Sequence, residues 1–203
     1  MKTHVYKLVL GLFITLFAFN LNAQDIRINS NFGIAPNKLT DWSGFNYNID
    51  LMVNTNIWNK FYFGLGSSYL GIDLLPSNNY LTFDKKILSF YSSFIYEINL
   101  TNKIKLLPEI QLGYSLVHYK LNEMNDIEQK TNGLYLVGGL SSSFYISKNV
   151  DLLAGFNYTT IFSELKPSSR ITIIPAIYLG IPEDRIKQYL FKVGVIYYFK
   201  KRS

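Results

Sequence analysis

Alternation of apolar and polar residues with a period of two runs through nearly the whole chain, and no other feature limits its fold as strongly. Successive side chains of a strand point to opposite faces. Sustained alternation therefore marks a strand with one apolar and one polar face. In segment 26–34, Ile26, Ile28, Phe32 and Ile34 alternate with Arg27, Asn29, Asn31 and Gly33. In segment 45–54, Phe45, Tyr47, Ile49, Leu51 and Val53 alternate with Asn46, Asn48, Asp50, Met52 and Asn54. The same reading predicts strands over 61–70, 86–99, 103–119, 133–147, 150–162 and 188–199, which makes eight. Beyond residue 25 no apolar run reaches the roughly 18 residues that a membrane helix needs.

The connections alternate as well. Short ones fall at Asn56–Lys60, Thr101–Asn102 and Lys148–Asn149, each with an asparagine, a turn former. Long ones are predicted at 35–43, 71–85, 120–132 and 163–187. The repeating unit is strand, short turn, strand, long loop. Ahead of the first strand, Lys2 and Lys7 precede the uncharged run LVLGLFITLFAF at 8–19, followed by NLNA. A charged start, a short apolar core and a small residue before a polar stretch are the marks of a secretory signal peptide. Residues 1–23 are assigned to it, with cleavage after Ala23, and 24–203 to the mature domain.

Composition narrows the chemistry. The chain has 203 residues and no cysteine, which excludes disulfides, thiolate metal sites and a cysteine nucleophile. Only His4 and His118 are histidines, too few for a histidine metal site. Of 20 basic residues two lie in the signal segment, leaving 18 against 14 acidic ones. That bias is too mild for a nucleic-acid binder.

Eight antiparallel strands of this kind fit two architectures. A soluble lipocalin-like barrel turns its apolar face inward, whereas a membrane barrel turns it outward to lipid. The polar face here is rich in Gly and Ser, for example Gly64, Gly66, Ser68, Ser89, Gly113, Ser115, Gly139, Ser141 and Gly155. Small residues suit the narrow interior of an eight-stranded barrel. Aromatic residues gather towards both strand ends: Trp42, Tyr69, Tyr114, Tyr158 and Tyr189 near the long loops, and Trp58, Phe61, Tyr96, Phe144, Tyr197 and Phe199 near the short turns. Two such belts, with short turns on one side and long loops on the other, favour an all-β, up-and-down, eight-stranded transmembrane β-barrel.

With the segment ending NAQ and the last strand FKVGVIYYF, the chain resembles the small outer-membrane β-barrels of Gram-negative bacteria, the OmpA/OmpX-like group, in the Bacteroidetes style. The resemblance covers essentially all of 25–199. It implies location in the cell outer membrane, contact with outer-membrane lipid, insertion by the barrel-assembly machinery, periplasmic termini and extracellular long loops. The last strand of such proteins usually ends the chain on an aromatic residue; here Phe199 is followed by Lys200, Lys201, Arg202 and Ser203.

By parity the charged residues facing the interior are Arg27, Asp50, Glu97, Lys105, Glu109, Asp151 and Lys192, all in the part nearer the short turns or the middle. Isolated ions in a low-dielectric interior cost several kcal/mol, so a structural network of ion pairs is expected. A gate or narrow polar conduit is the functional reading of the same residues. A lipid-modifying enzyme would need a base within reach of its nucleophile. His118 and Ser115 have opposite parity, and Glu123 lies in a predicted loop. No catalytic residue, metal ligand or cofactor site is assigned. The expected role is structural or adhesive, with a possible extracellular partner at loop 163–187; a lipocalin-like carrier and a lipid-modifying enzyme are the alternatives. Within that loop the uncharged run ITIIPAIYLGI at 171–181 is expected to be an apolar surface segment, and Pro182 to open a short helix over PEDRIKQ.

Overall fold

The computed structural model describes residues 26–39, 42–76, 82–122, 127–163 and 185–199. The signal segment, the run at 171–181 and Glu123 lie outside them. Nine strands are present: β1 (Ile26–Leu39), β2 (Trp42–Trp58), β3 (Phe61–Pro76), β4 (Thr82–Tyr96), β5 (Ile98–Asn99), β6 (Ile104–Asn122), β7 (Ile127–Ser147), β8 (Val150–Ser163) and β9 (Arg185–Tyr198). Among the described residues there is no helix.

All pairings are antiparallel between sequence neighbours, and β1 pairs with β9, while β4 pairs directly with β6. The sheet therefore closes into a barrel. The two-residue β5 is the continuation of β4, because Ile95↔Glu109 and Ile98↔Leu106 keep one register against β6. Pairing with β6 lapses at Tyr96 and Glu97, opposite Pro108 and Leu107, and Pro108 has no N–H to give to the ladder. The barrel thus has eight staves. One hydrogen-bonded row runs Arg27↔Asn54↔Gly64↔Ser93↔Gln111↔Val137↔Thr159↔Gln188. It starts one residue into β1 and ends three residues into β9, at opposite ends of the barrel. The strands are therefore steeply tilted to its axis, as closure of a small barrel requires.

The short connections are tight. Asn59–Lys60 joins β2 to β3, with Asn59 at φ 49°, a left-handed conformation that asparagine tolerates. Its carbonyl accepts from Asn56 Nδ2 at 2.6 Å. Thr101 Oγ1 accepts from the amides of Lys103 and Ile104 in the turn before β6. Asn149, between β7 and β8, donates through Nδ2 to the Tyr198 carbonyl at 2.7 Å and so ties this turn to β9.

At the other end the strands run further than alternation predicts. The loops expected at 35–43, 71–85 and 120–132 are largely strand: β1 reaches Leu39, β3 reaches Pro76, and β6 and β7 pair as far as Leu121↔Ile127. The expected start of a short helix at PEDRIKQ is also corrected, since Arg185 to Gln188 belong to β9 and pair with Phe162 to Thr159. The cause is common to all four. A ladder needs only backbone pairing, whereas apolar–polar alternation appears only where the two faces meet different media.

Which face is apolar is decided by exposure. Ile49, Phe90, Ile110 and Phe156 are 53%, 53%, 59% and 66% exposed on the outer surface. Their strand neighbours Asp50, Ser89, Gln111 and Asn157 are buried inside. This is the reverse of a lipocalin-like barrel. The outer surface carries aromatic pairs near both ends: Trp58–Phe61, Phe61–Tyr96 and Tyr197–Phe199 at the short-turn end, Tyr47–Tyr69 and Tyr158–Tyr189 towards the long hairpins.

Candidate functional site

The interior is filled from its walls. Most inward glycines lie beneath a side chain from the adjacent strand. A Cβ at Gly64 would strike Asn54 and Ser93, at Gly66 the Tyr91 ring, at Gly139 and Gly194 the amide oxygens of Asn157 and Asn31, and at Gly155 the Ser141 hydroxyl. Glycine on the polar face therefore does more than save volume. It lets a longer neighbour lie flat along the wall, the close approach for which a missing Cβ is needed.

The seven charged residues singled out by parity all face this interior, in two ion-paired groups and two tyrosine-capped carboxylates. At the short-turn end Glu97 takes Arg27 Nη1 at 3.3 Å and Lys105 Nζ at 2.5 Å. Arg27 is fully buried, and its guanidinium lies 3.6 Å from the centroid of the Tyr62 ring, a cation–π contact. Beside this group Asp151 accepts from the Tyr198 hydroxyl at 3.0 Å and the Ser143 hydroxyl at 3.4 Å.

Higher in the barrel Lys192 donates to Glu109 at 2.9 Å. Gln111 Nε2 donates to the other oxygen of Glu109 at 2.7 Å, and Tyr135 donates to Gln111 Oε1 at 3.1 Å. Tyr135 stacks on Tyr91, whose hydroxyl donates to Asp50 at 2.5 Å. This chain of side chains spans the lumen from β9 to β2. Ser89 and Ser115 join β4 to β6 by a hydroxyl pair at 2.7 Å.

Two features of the interior are not in the parity list. Lys85 is 3% exposed and faces inward on β4. The predicted strand begins at 86 and so leaves it out; extending the alternation Lys85, Ile87, Ser89, Tyr91 by one step reaches it. With Lys85 the described inward charges are four basic and four acidic. The interior is also not polar throughout. Leu70, Ile72, Ile87, Val117, Ile161 and Ile186 are buried inside, nearer the long hairpins than the ion pairs are, and Lys85, in register with Ile72, lies at their level.

Ser115 and His118 are not brought together. Ser115 is fully buried inside and bonded to Ser89, while His118 is half-buried on the outer face, in register with Lys86 and Lys130. Among the described residues no cluster of three histidine or carboxylate side chains has the spacing of a metal site.

Solved structures with the same fold share little sequence. Neisserial surface protein A is 18% identical over 85% of this chain and 96% of its own, with a TM-score of 0.57. A major outer membrane protein from Thermus thermophilus is 11% identical over 86% and 99%, with a TM-score of 0.51. The N-terminal β-barrel domain of Pseudomonas aeruginosa OprF is 12% identical over 87% and 98%, with a TM-score of 0.50. At these identities the likeness is one of fold. Curated proteins contain no match. The family model described as outer membrane protein beta-barrel domain matches residues 8–199. A closed eight-stave barrel with an apolar outer face and a charged lumen, matched over nearly its whole length, places this chain in the outer membrane protein beta-barrel family.

Proposed function

We propose that the protein is a surface-interaction element of the outer membrane: a closed, lipid-embedded anchor that presents its long hairpins outside the cell. The observation that carries this reading is the asymmetry of the barrel. At one end β2–β3 and β7–β8 close in two-residue turns. At the other, β6 and β7, 19 and 21 residues long, carry their pairing well past the aromatic residues Tyr69, Tyr114, Tyr158 and Tyr189. Turns are short on the periplasmic side of such barrels and loops long on the outer side. In this reading residues 1–23 direct export, the assembly machinery inserts the chain, both termini are periplasmic, and the connection between β8 and β9 belongs to the contact surface.

The lumen charges serve structure in this account. Lys192–Glu109, Tyr91–Asp50 and the stacked Tyr91 and Tyr135 block the middle of a barrel already too narrow for an open pore. With Ser115 inside and His118 outside, this serine and histidine are not within reach of each other.

Orientation is tested by inserting a protease site. A site at Asn78 or Asn125 is expected to be cut in intact cells, and one at Asn102 or Lys148 only after the envelope is opened. Cutting at Asn102 in intact cells would reverse the orientation.

A further inference from the structure

On β4 and β6 the outer face changes from apolar to basic within a single two-residue step, and on β7 the change runs from Leu134 through Asn132 to Lys130. Leu88 on β4 and Leu116 on β6 are 37% and 47% exposed, over an apolar surface that continues through Phe90 and Tyr114. Two residues further along the same face stand Lys86 and His118. Register aligns them across the sheet, Lys86↔His118↔Lys130. Lys86 and Lys130 are exposed, as is Asn132, the residue two before the apolar Leu134 on β7. Neighbouring strands lie about 4.8 Å apart, so the two lysines of this row stand about 10 Å apart, with the histidine between them.

The position of this row matters more than its charge. Lysines on a solvated hairpin usually mark only solvent. These lie on the outward parity of the strands, immediately above leucines and aromatics that face hydrocarbon, at the level where acyl chains give way to headgroups. Resting on the outer-membrane location argued above, we infer that Lys86, His118, Lys130 and Asn132 form a site for the phosphate groups of an outer-leaflet glycolipid, with its acyl chains along Leu88, Leu116 and Tyr114. A phosphate is complementary to ammonium groups as point charges, and the asparagine amide supplies a further donor. An amphiphile fits where a free anion does not, because the site is half charged and half apolar.

The test uses the full mature protein, refolded in detergent micelles doped with bisphosphorylated lipid A, with retained lipid measured by native mass spectrometry at about 0.1 M salt. Wild type is expected to retain the phosphorylated lipid and to discriminate against the same lipid stripped of its phosphates. The exposed double variant Lys86→Gln/Lys130→Gln is expected to weaken retention roughly tenfold or more. Lys187→Gln, whose partner on β8 is Thr160, is expected to leave it unchanged. Equal retention of the two lipids by wild type would overturn the inference without any variant. So would a double variant that binds like wild type, or displacement of the lipid by millimolar inorganic phosphate. A protein that fractionates with the outer membrane but shows no phosphate preference fails this inference alone; one that is absent from the outer membrane fails the reading beneath it.

Discussion

Arg27 is fully buried, and the carboxylate that holds it comes from Glu97, 70 residues away in sequence. Glu97 also holds Lys105, so one anion serves two cations near the short-turn end. Removing a partner from a buried ion pair is costly because the remaining charge stays desolvated. Glu97→Ala should therefore destabilise the barrel by roughly 3–5 kcal/mol. Asp50→Asn makes the contrast: its amide oxygen still accepts from Tyr91, and the cost should be about 1 kcal/mol. Urea unfolding in micelles would measure both. Equal, small effects would mean that water enters the lumen and screens these charges. Inward orientation was legible for every one of these residues, because parity reports the face. Partnership was not, since Lys192 and Glu109 are 83 residues apart and meet only once strand register and barrel closure are set.

At the level of the hairpin, Asn59 shows how a turn is written in sequence. Its positive φ suits asparagine or glycine, and strands that close on two residues leave no room to relax. Asn59→Gly should be nearly neutral, while Asn59→Val should cost roughly 1–2 kcal/mol, because a β-branched side chain crowds the left-handed conformation. Equilibrium unfolding of the two variants decides it, and similar stabilities would mean that the turn rearranges at no cost. The short turns were readable from Asn56–Lys60, Thr101–Asn102 and Lys148–Asn149, since turn chemistry is local. The far ends of the strands were not. Over 71–76 and 120–122 the ladder continues without clean alternation, and nothing in the side-chain pattern marks where pairing stops. Lys85 was missed because the predicted strand begins one residue too late, at 86. So was the role of Gly64, Gly139 and Gly194, because a glycine that seats a neighbour's side chain reads in sequence as any other small residue.

For the molecule as a whole, everything rests on which surface meets hydrocarbon. An apolar outer face, a lumen of balanced charge and aromatic pairs near both ends are mutually consistent only in a bilayer. In water the exposed Ile49, Phe90, Ile110 and Phe156 would belong to an apolar patch far larger than soluble monomers carry. The chain has no cysteine, so a single one can be placed anywhere without a background. The most direct measurement is a nitroxide scan of Ile49, Asp50, Leu51 and Met52 on β2, one cysteine variant at a time, in lipid vesicles. Accessibility to oxygen, which partitions into hydrocarbon, should be high at 49 and 51 and low at 50 and 52. A scan in which 49 and 51 instead respond to a water-soluble quencher, or in which the period of two is lost, would contradict the lipid-embedded barrel.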